Sequence, residues 1–339
     1  MNVRLKDVAK EAGVAVNTVS SILNSRKDSW ASEETKQRVR DAAKKLGYVP
    51  NRMARGLILG KFNTIGLIIP DLQNPFYSAL ITEIETELIK RNYELIIEDT
   101  RLDFKRERLC LERIKGRQVD GIIINPINPA IFKTHLEPLA KSGTPVVVLG
   151  GPPENSSLCS VQVDLNSSIN DAFRHLAELG HKKIGFILHK LAPQETAAPR
   201  TARFREAMNE HNLESPKEFL IQCEPTMEAA FEVFADLIAS HPKKNLPTAF
   251  VCMNDLLAMG AMRAARDAKL AIPDDIAFVG VDDIPAARML PISLTTISQP
   301  VHEMAVHVIE AVLEEKSARK KTILNGQLIV RESTGTAHR

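Results

Sequence analysis

Residues 5–23 read LKDVAKEAGVAVNTVSSIL. Leu5, Val8, Ala9 and Ala12 recur at i, i+3, i+4 and i+7, which is one face of a two-turn helix. Gly13 follows and suits a left-handed helix end or tight turn. A second short segment sets Val16, Val19, Ile22 and Leu23 on one face. A third begins at Ser32, which fits an N-cap, with Glu33 and Glu34 in the first turn, where the helix dipole favours acids. Its apolar face is Val39, Ala42, Ala43 and Leu46. Three short helices with a glycine turn between the first two match the plan of a helix-turn-helix.

Charge points the same way. The 339-residue chain has a net charge of only +2. Residues 1–61 hold 13 Lys and Arg against 6 Asp and Glu, while the remainder holds 31 against 36. A small basic head on a mildly acidic body fits a polyanion partner for the head alone.

Beyond Pro50, residues 51–60, NRMARGLILG, fit one short helix ending near Gly60. From residue 63 the chain changes character. NTIGLIIP (63–70), YELIIE (93–98), DGIIIN (120–125), PVVVL (145–149), KIGFIL (183–188), TAFVCM (248–253) and IAFVGV (276–281) read as buried strands separated by amphipathic helices. Near-continuous Val/Ile runs alternating with helices mean parallel sheets covered on both faces, and the length accommodates two of them.

Several classes are disfavoured. No apolar run approaches the roughly 20 residues that span a bilayer, and the amino terminus has no secretion-signal pattern. Cys110, Cys159, Cys223 and Cys252 are scattered without CxxC spacing, which argues against zinc or disulfides and fits a reducing cytoplasm. Neither GxGxxG nor a P-loop is present, nor GxSxG, nor HExxH. An enzyme or a secreted sugar-binding protein is therefore a remote alternative, and no metal or other cofactor is expected.

The chain closely resembles the lactose-repressor (LacI/GalR) family of bacterial transcription regulators. In the head the resemblance rests on LKDVAKEAGVAVNTVSSILN, SEETKQRVRDAAKKLGYVPN and RMARGL. In the body it rests on IGLIIPDLQNPFYSALITEIE, DGIIIN, LGHKKIGFI, NDLLAMGAMRAARDAKLAIPDDIAFVGVDDI and LTTISQP. It implies an α/β chain: an all-α helix-turn-helix head over residues 1–50, a hinge helix over 51–61, and a two-subdomain, periplasmic-binding-protein-like body with parallel sheets over 62–339. The first subdomain would hold about 62–160 and 293–323, the second about 162–291 and 325–339.

The resemblance also implies roles. Val16, Asn17 and Ser21 occupy the base-reading positions of the recognition helix. Asn17 can pair bidentately with adenine, and Val16 can touch a thymine methyl. Ser21 is short and undiscriminating where many relatives carry arginine. Arg4, Thr18, Ser20, Tyr48 and Asn51 match backbone contacts that set register. Arg4 and Ala15 replace the usual helix caps, at a cost of about 1 kcal/mol each. In the hinge, Leu57 matches a minor-groove wedge, with Ala54 small enough for close approach and Arg55 reaching phosphate or groove edge. Gly56 costs about 1 kcal/mol relative to alanine inside a helix, so the hinge is expected to fold only on operator. Two heads need a two-fold homodimer and a near-palindromic double-stranded DNA operator.

Ligands of such folds sit between subdomains, at the C-terminal ends of strands. Asp71, Asn74, Phe76, Asn125, Arg200, Asn254, Asp255, Asp282 and Gln299 fall at such positions or at the family's clamping arginine. Arg203 stands where the family has a glycine near that arginine. Carboxylates and amides suit the paired hydroxyls of a sugar, and Phe76 could face its apolar side. A nucleobase corepressor or a phosphorylated partner protein stays open as the controlling signal.

Overall fold

Val8, Ala9, Ala12, Val19, Ile22, Val39, Ala42 and Ala43 close on one another as the core of the head. They come from α1 (Leu5–Ala12), α2 (Val16–Leu23) and α3 (Glu33–Leu46). The computed structural model describes residues 3–23, 31–49, 56, 60–153, 155–190, 208–314 and 321–337. The chain divides into two units, Met1–Phe62 and Asn63–Arg339.

Gly13 ends α1 at φ +64°, the left-handed conformation its lack of Cβ permits. Ser32 caps α3, its hydroxyl accepting the Thr35 amide at 3.3 Å. The start of α1 is better held than Arg4 alone would give. Asp7 reaches back and accepts the Arg4 amide at 2.8 Å, supplying one arm of a capping box. In α2, Val16 is 43% exposed, while Val19 and Ile22 are buried.

In the linker, the Gly60 amide donates to the Gly56 carbonyl at 2.8 Å, and Gly60 has φ +67°. A Cβ on Gly56 would fall 2.6 Å from Cε1 and 3.0 Å from Cγ of Phe62. The glycine is thus fitted to an aromatic ring. Asn51, Ala54, Arg55 and Leu57 lie outside the described residues.

The second unit carries, among the described residues, β1 (Thr64–Ile69), β2 (Glu94–Asp99), β3 (Gly121–Ile124), β4 (Val146–Leu149), β5 (Cys159–Asp164), β6 (Ile184–His189), β7 (Leu220–Cys223), β8 (Ala249–Cys252), β9 (Ala277–Asp282), β10 (Thr295–Ser298), β11 (Lys321–Asn325) and β12 (Gln327–Ile329). The first sheet has order β11-β5-β4-β3-β1-β2 and is wholly parallel. The second has order β12-β10-β9-β8-β6-β7 and is parallel except for β12, which runs antiparallel to β10.

Period-two alternation sends each strand's apolar residues to both faces. Ile65, Leu67 and Ile69 pack in one core with Leu80 and Ile84 of helix Pro75–Lys90 and Val308 of helix Val301–Leu313. Ile68, Ile122 and Ile124 pack on the other side with Cys110, Leu111 and Ile114 of helix Phe104–Gly116. In the second sheet, Phe186 and Leu188 meet Ile169 and Phe173 of helix Leu165–Glu178.

Three crossovers join the halves, and they correct the expected boundaries. β5 extends the first sheet to Asp164, past residue 160. β10 belongs to the second sheet, so residues 295–298 leave the first half; the return falls between Ser298 and Val301. The last crossing is at Gly326, between β11 and β12.

Candidate functional site

In the head, Asn17 is exposed beside Val16 at the start of α2, and Ser21 lies half-buried one turn on. Arg4 is exposed, while Thr18, Ser20 and Tyr48 are half-buried. Ala15 contributes no side-chain cap; its carbonyl accepts the amides of Thr18 and Val19 at 3.0 and 3.2 Å. The N-terminal turn of α2 therefore presents a methyl-bearing side chain and a bidentate amide side by side. That pairing suits the thymine methyl and the adenine edge in a major groove.

In the body, strand ends from both sheets converge on Asp282, the last residue of β9. Asn74, which follows β1, accepts the Phe76 amide at 3.0 Å through Oδ1 and so caps helix Pro75–Lys90. Its Nδ2 donates to Asp282 Oδ2 at 3.1 Å. Gln299, just past β10, donates through Nε2 to Asp282 Oδ1 at 2.7 Å. Both carboxylate oxygens are thus met by amides. Burial pushes the Asp282 carboxyl up to about 7, against the opposing pull of those two amides. Asp282 has φ +111° and Asp283 φ +51°. Non-glycine residues in such conformations cost on the order of 1–3 kcal/mol and cluster at ligand clamps. Asp283 is held there by Arg331, whose Nη2 donates to its Oδ1 at 2.6 Å.

Asn125, after β3, donates to the Tyr77 hydroxyl at 3.2 Å. Asp71, after β1, accepts the Gln73 amide at 2.9 Å, and burial raises its carboxyl with help from the Asp99 charge. Asp71, Asn74, Asn125, Asp282 and Gln299 therefore all sit at C-terminal strand ends, as expected. Three other candidates have structural roles in this arrangement. Phe76 is 6% exposed and packs in the core; the aromatic that stays half-buried is its neighbour Tyr77, edge-on at 5.1 Å. Asn254 is buried and caps helix Asp255–Asp267 by accepting the Leu257 amide at 2.9 Å. Asp255 is 0% exposed, with Oδ2 accepting the Ile284 amide at 2.8 Å and Oδ1 the Thr296 hydroxyl at 2.5 Å. Asp255 braces the Asp282–Ile284 turn from beneath. Burial pushes its carboxyl up to about 8. Arg200 lies outside the described residues.

Sequence reasoning missed Thr296 and Glu107. Thr296 carried no signal beyond its strand. Glu107 did: it falls in register with Cys110, Leu111 and Ile114, where an amphipathic helix calls for an apolar residue. Among the described residues no group of three or more His, Cys, Asp or Glu could hold a metal, and no helix is long and apolar enough to cross a membrane.

Comparison with known proteins adds to this geometry. A family model described as bacterial regulatory proteins, lacI family, matches residues 4–51. A periplasmic binding protein-like domain model matches residues 173–334. Catabolite control protein A of Priestia megaterium is 31% identical over 323 residues, covering 95% of each chain. The lac repressor dimer, bound to operator and the anti-inducer ONPF, superposes with a TM-score of 0.86 at 23% identity, over 99% of this chain and 100% of that one. The regulator CelR in complex with cellobiose superposes with a TM-score of 0.66 at 26% identity, over 98% and 100%.

Proposed function

Because the chain belongs to the lacI family of bacterial regulatory proteins, we propose that it represses a carbohydrate-utilisation operon and is released or engaged by a sugar held at Asp282. It would act as a homodimer on a near-palindromic operator, reading bases with Val16, Asn17 and Ser21 and setting register through Arg4, Thr18, Ser20, Tyr48 and Asn51. Leu57 would be the minor-groove wedge, flanked by Ala54 and Arg55. The sugar would meet Asp71, Asn74, Asn125, Asp282 and Gln299, with Arg200 beside them and Tyr77 rather than Phe76 as the aromatic face. Asn254 and Asp255 would shape the site without touching its ligand.

The observation that carries this reading is the Asn74–Asp282–Gln299 cluster. A sugar hydroxyl can stand in for either partner of an amide-to-carboxylate bond, since it both donates and accepts. Asn74 leads into the first half and Asp282 ends a strand of the second, so a ligand inserted there changes how the halves meet. A ligand that binds one arrangement better shifts the population towards it, and through the dimer alters the spacing of the two hinges.

The test is a thermal-shift screen of the full chain against D-glucose, D-ribose, cellobiose, sugar acids and nucleosides, since a ligand of the native state raises its melting temperature. A hit must also change operator affinity. If no sugar shifts the protein, the carbohydrate assignment is wrong. A nucleobase corepressor is the second reading, favoured by the half-buried Tyr77 ring.

A further inference from the structure

Glu107 is a carboxylate in the wrong place for a helix that merely packs. Helix Phe104–Gly116 buries Glu107, Cys110, Leu111 and Ile114, a spacing of i, i+3, i+4 and i+7. The last three lie in an apolar core with Ile68, Ile124 and Phe132. Glu107 is 0% exposed. A buried carboxylate is costly unless its oxygens are satisfied. Here they are satisfied by backbone: Oε1 accepts the Ile127 amide at 2.7 Å and Oε2 the Asn128 amide at 3.2 Å.

Those amides belong to the segment that leaves β3 immediately after Asn125. The same segment is pinned at its start by the Asn125 amide, which donates to the Ile68 carbonyl at 2.9 Å. It is turned by Asn128, whose Oδ1 accepts the Ala130 amide at 2.9 Å. Among the described residues, the Glu107 carboxylate alone accepts the backbone amides of Ile127 and Asn128. The arrangement repeats what Asp255 does in the other half, where a buried carboxylate accepts the Ile284 amide beneath Asp282. Each half of the body therefore supports one arm of the site on an internal carboxylate.

We infer that Glu107 is a positioning residue for the effector site: by accepting the amides of Ile127 and Asn128 it fixes the segment that aims Asn125. The inference rests on the reading of Asn125 as a ligand contact. It makes a distinction that simple packing does not. Leucine at 107 would complete the apolar stripe and remove the buried charge, so the fold is retained, while the two amides lose their acceptor. Glutamine keeps the shape but can accept at only one oxygen.

The experiment compares the full-length wild type with Glu107→Leu, Glu107→Gln and the core control Leu111→Ala. Amide hydrogen exchange over residues 125–130 is the direct readout. Exchange at Ile127 and Asn128 is expected to rise at least tenfold in Glu107→Leu and less in Glu107→Gln, with both variants melting no lower than Leu111→Ala. Affinity for whichever of D-glucose, D-ribose or cellobiose most stabilises the wild type is expected to weaken at least fivefold in Glu107→Leu and to be unchanged in Leu111→Ala. Unchanged exchange in both Glu107 variants overturns the inference. So does faster exchange with unaltered sugar affinity. If no sugar stabilises the wild type, the ligand reading fails and the exchange comparison alone decides whether Glu107 holds the segment.

Discussion

The Asn74 side chain donates to the Asp282 carboxylate at 3.1 Å across 208 residues of sequence, tying the first sheet's leading loop to the end of a strand in the second. Its strength sets what a ligand must displace. A hydrogen bond to a charged group contributes about 1.5–3 kcal/mol.

Replacing Asp282 with alanine removes the acceptor for both Asn74 and Gln299. Effector response is expected to disappear, while operator affinity without effector stays within about twofold. Fluorescence anisotropy on a labelled operator, with and without the sugar hit, measures both. A variant that still responds would remove Asp282 from the site.

Three buried carboxyls shape the pH dependence of stability. Burial raises Glu107 to about 7, Asp282 to about 7 and Asp255 to about 8, from ordinary values of 4.5 for Glu and 3.8 for Asp. The folded protein then keeps protons that the unfolded chain has already released above about pH 5. Stability from these groups is full below the unfolded values and is lost as pH rises towards 8, by up to about 1.4 kcal/mol per pH unit for each proton retained. Melting temperature is expected to fall between pH 5.5 and 8.5, and Asp255→Asn to flatten that slope. Burial holds His175 and His181 below the ordinary value of 6.5, which opposes this slope at the acid end; a wild-type curve that rises between pH 6.5 and 8.5 contradicts the burial argument.

Alanine for Asn17 should cost about 1–3 kcal/mol on the cognate operator and little on random duplex, because a base contact is lost. Arg4→Ala should weaken both to a similar degree and reduce the dependence on salt, because a phosphate contact is lost. Salt titrations of both variants on both duplexes separate the roles. Equal losses for Asn17→Ala on the two duplexes would place it on the backbone instead.

Gly56→Ala reverses an ordinary expectation. In an open helix the change stabilises by about 1 kcal/mol. Here the new methyl meets the Phe62 ring, so operator affinity is expected to fall. Phe62→Ala should rescue it in the double variant, read as a coupling energy in a double-mutant cycle. Additive effects would show that the ring does not constrain residue 56. Leu57→Ala is a companion test: loss of specific binding with nonspecific binding intact is the outcome expected of a wedge.

Much of this was legible in the residues. α1 begins and ends where the 3.6-residue period of Leu5, Val8, Ala9 and Ala12 places it. β1, β3, β4, β6, β8 and β9 follow from Val/Ile runs that only a doubly covered sheet accommodates. Four strands escaped for a physical reason. β5, β7, β11 and β12 mix polar and apolar residues, and β7, β11 and β12 lie at or next to a sheet edge where one side is wet. The site was legible as positions but not as partners. Asp71, Asp255 and Asp282 look alike in sequence, yet Asp282 is met by two side-chain amides and Asp255 is sealed beneath it. Phe76 and Tyr77 differ only in which of two adjacent helix positions faces inward, and one residue is about 100° of helix.

The closing strands have a consequence for synthesis. β11 completes the edge of the first sheet and β12 the edge of the second, and only Gly326 separates them. On the ribosome, the head's three helices emerge complete before any of the body, because all lie before residue 50. Neither sheet has its full set of strands until residues 321–329 appear. A nascent chain thus has all three helices of its head in hand some 270 residues before β11 and β12 close the two sheets.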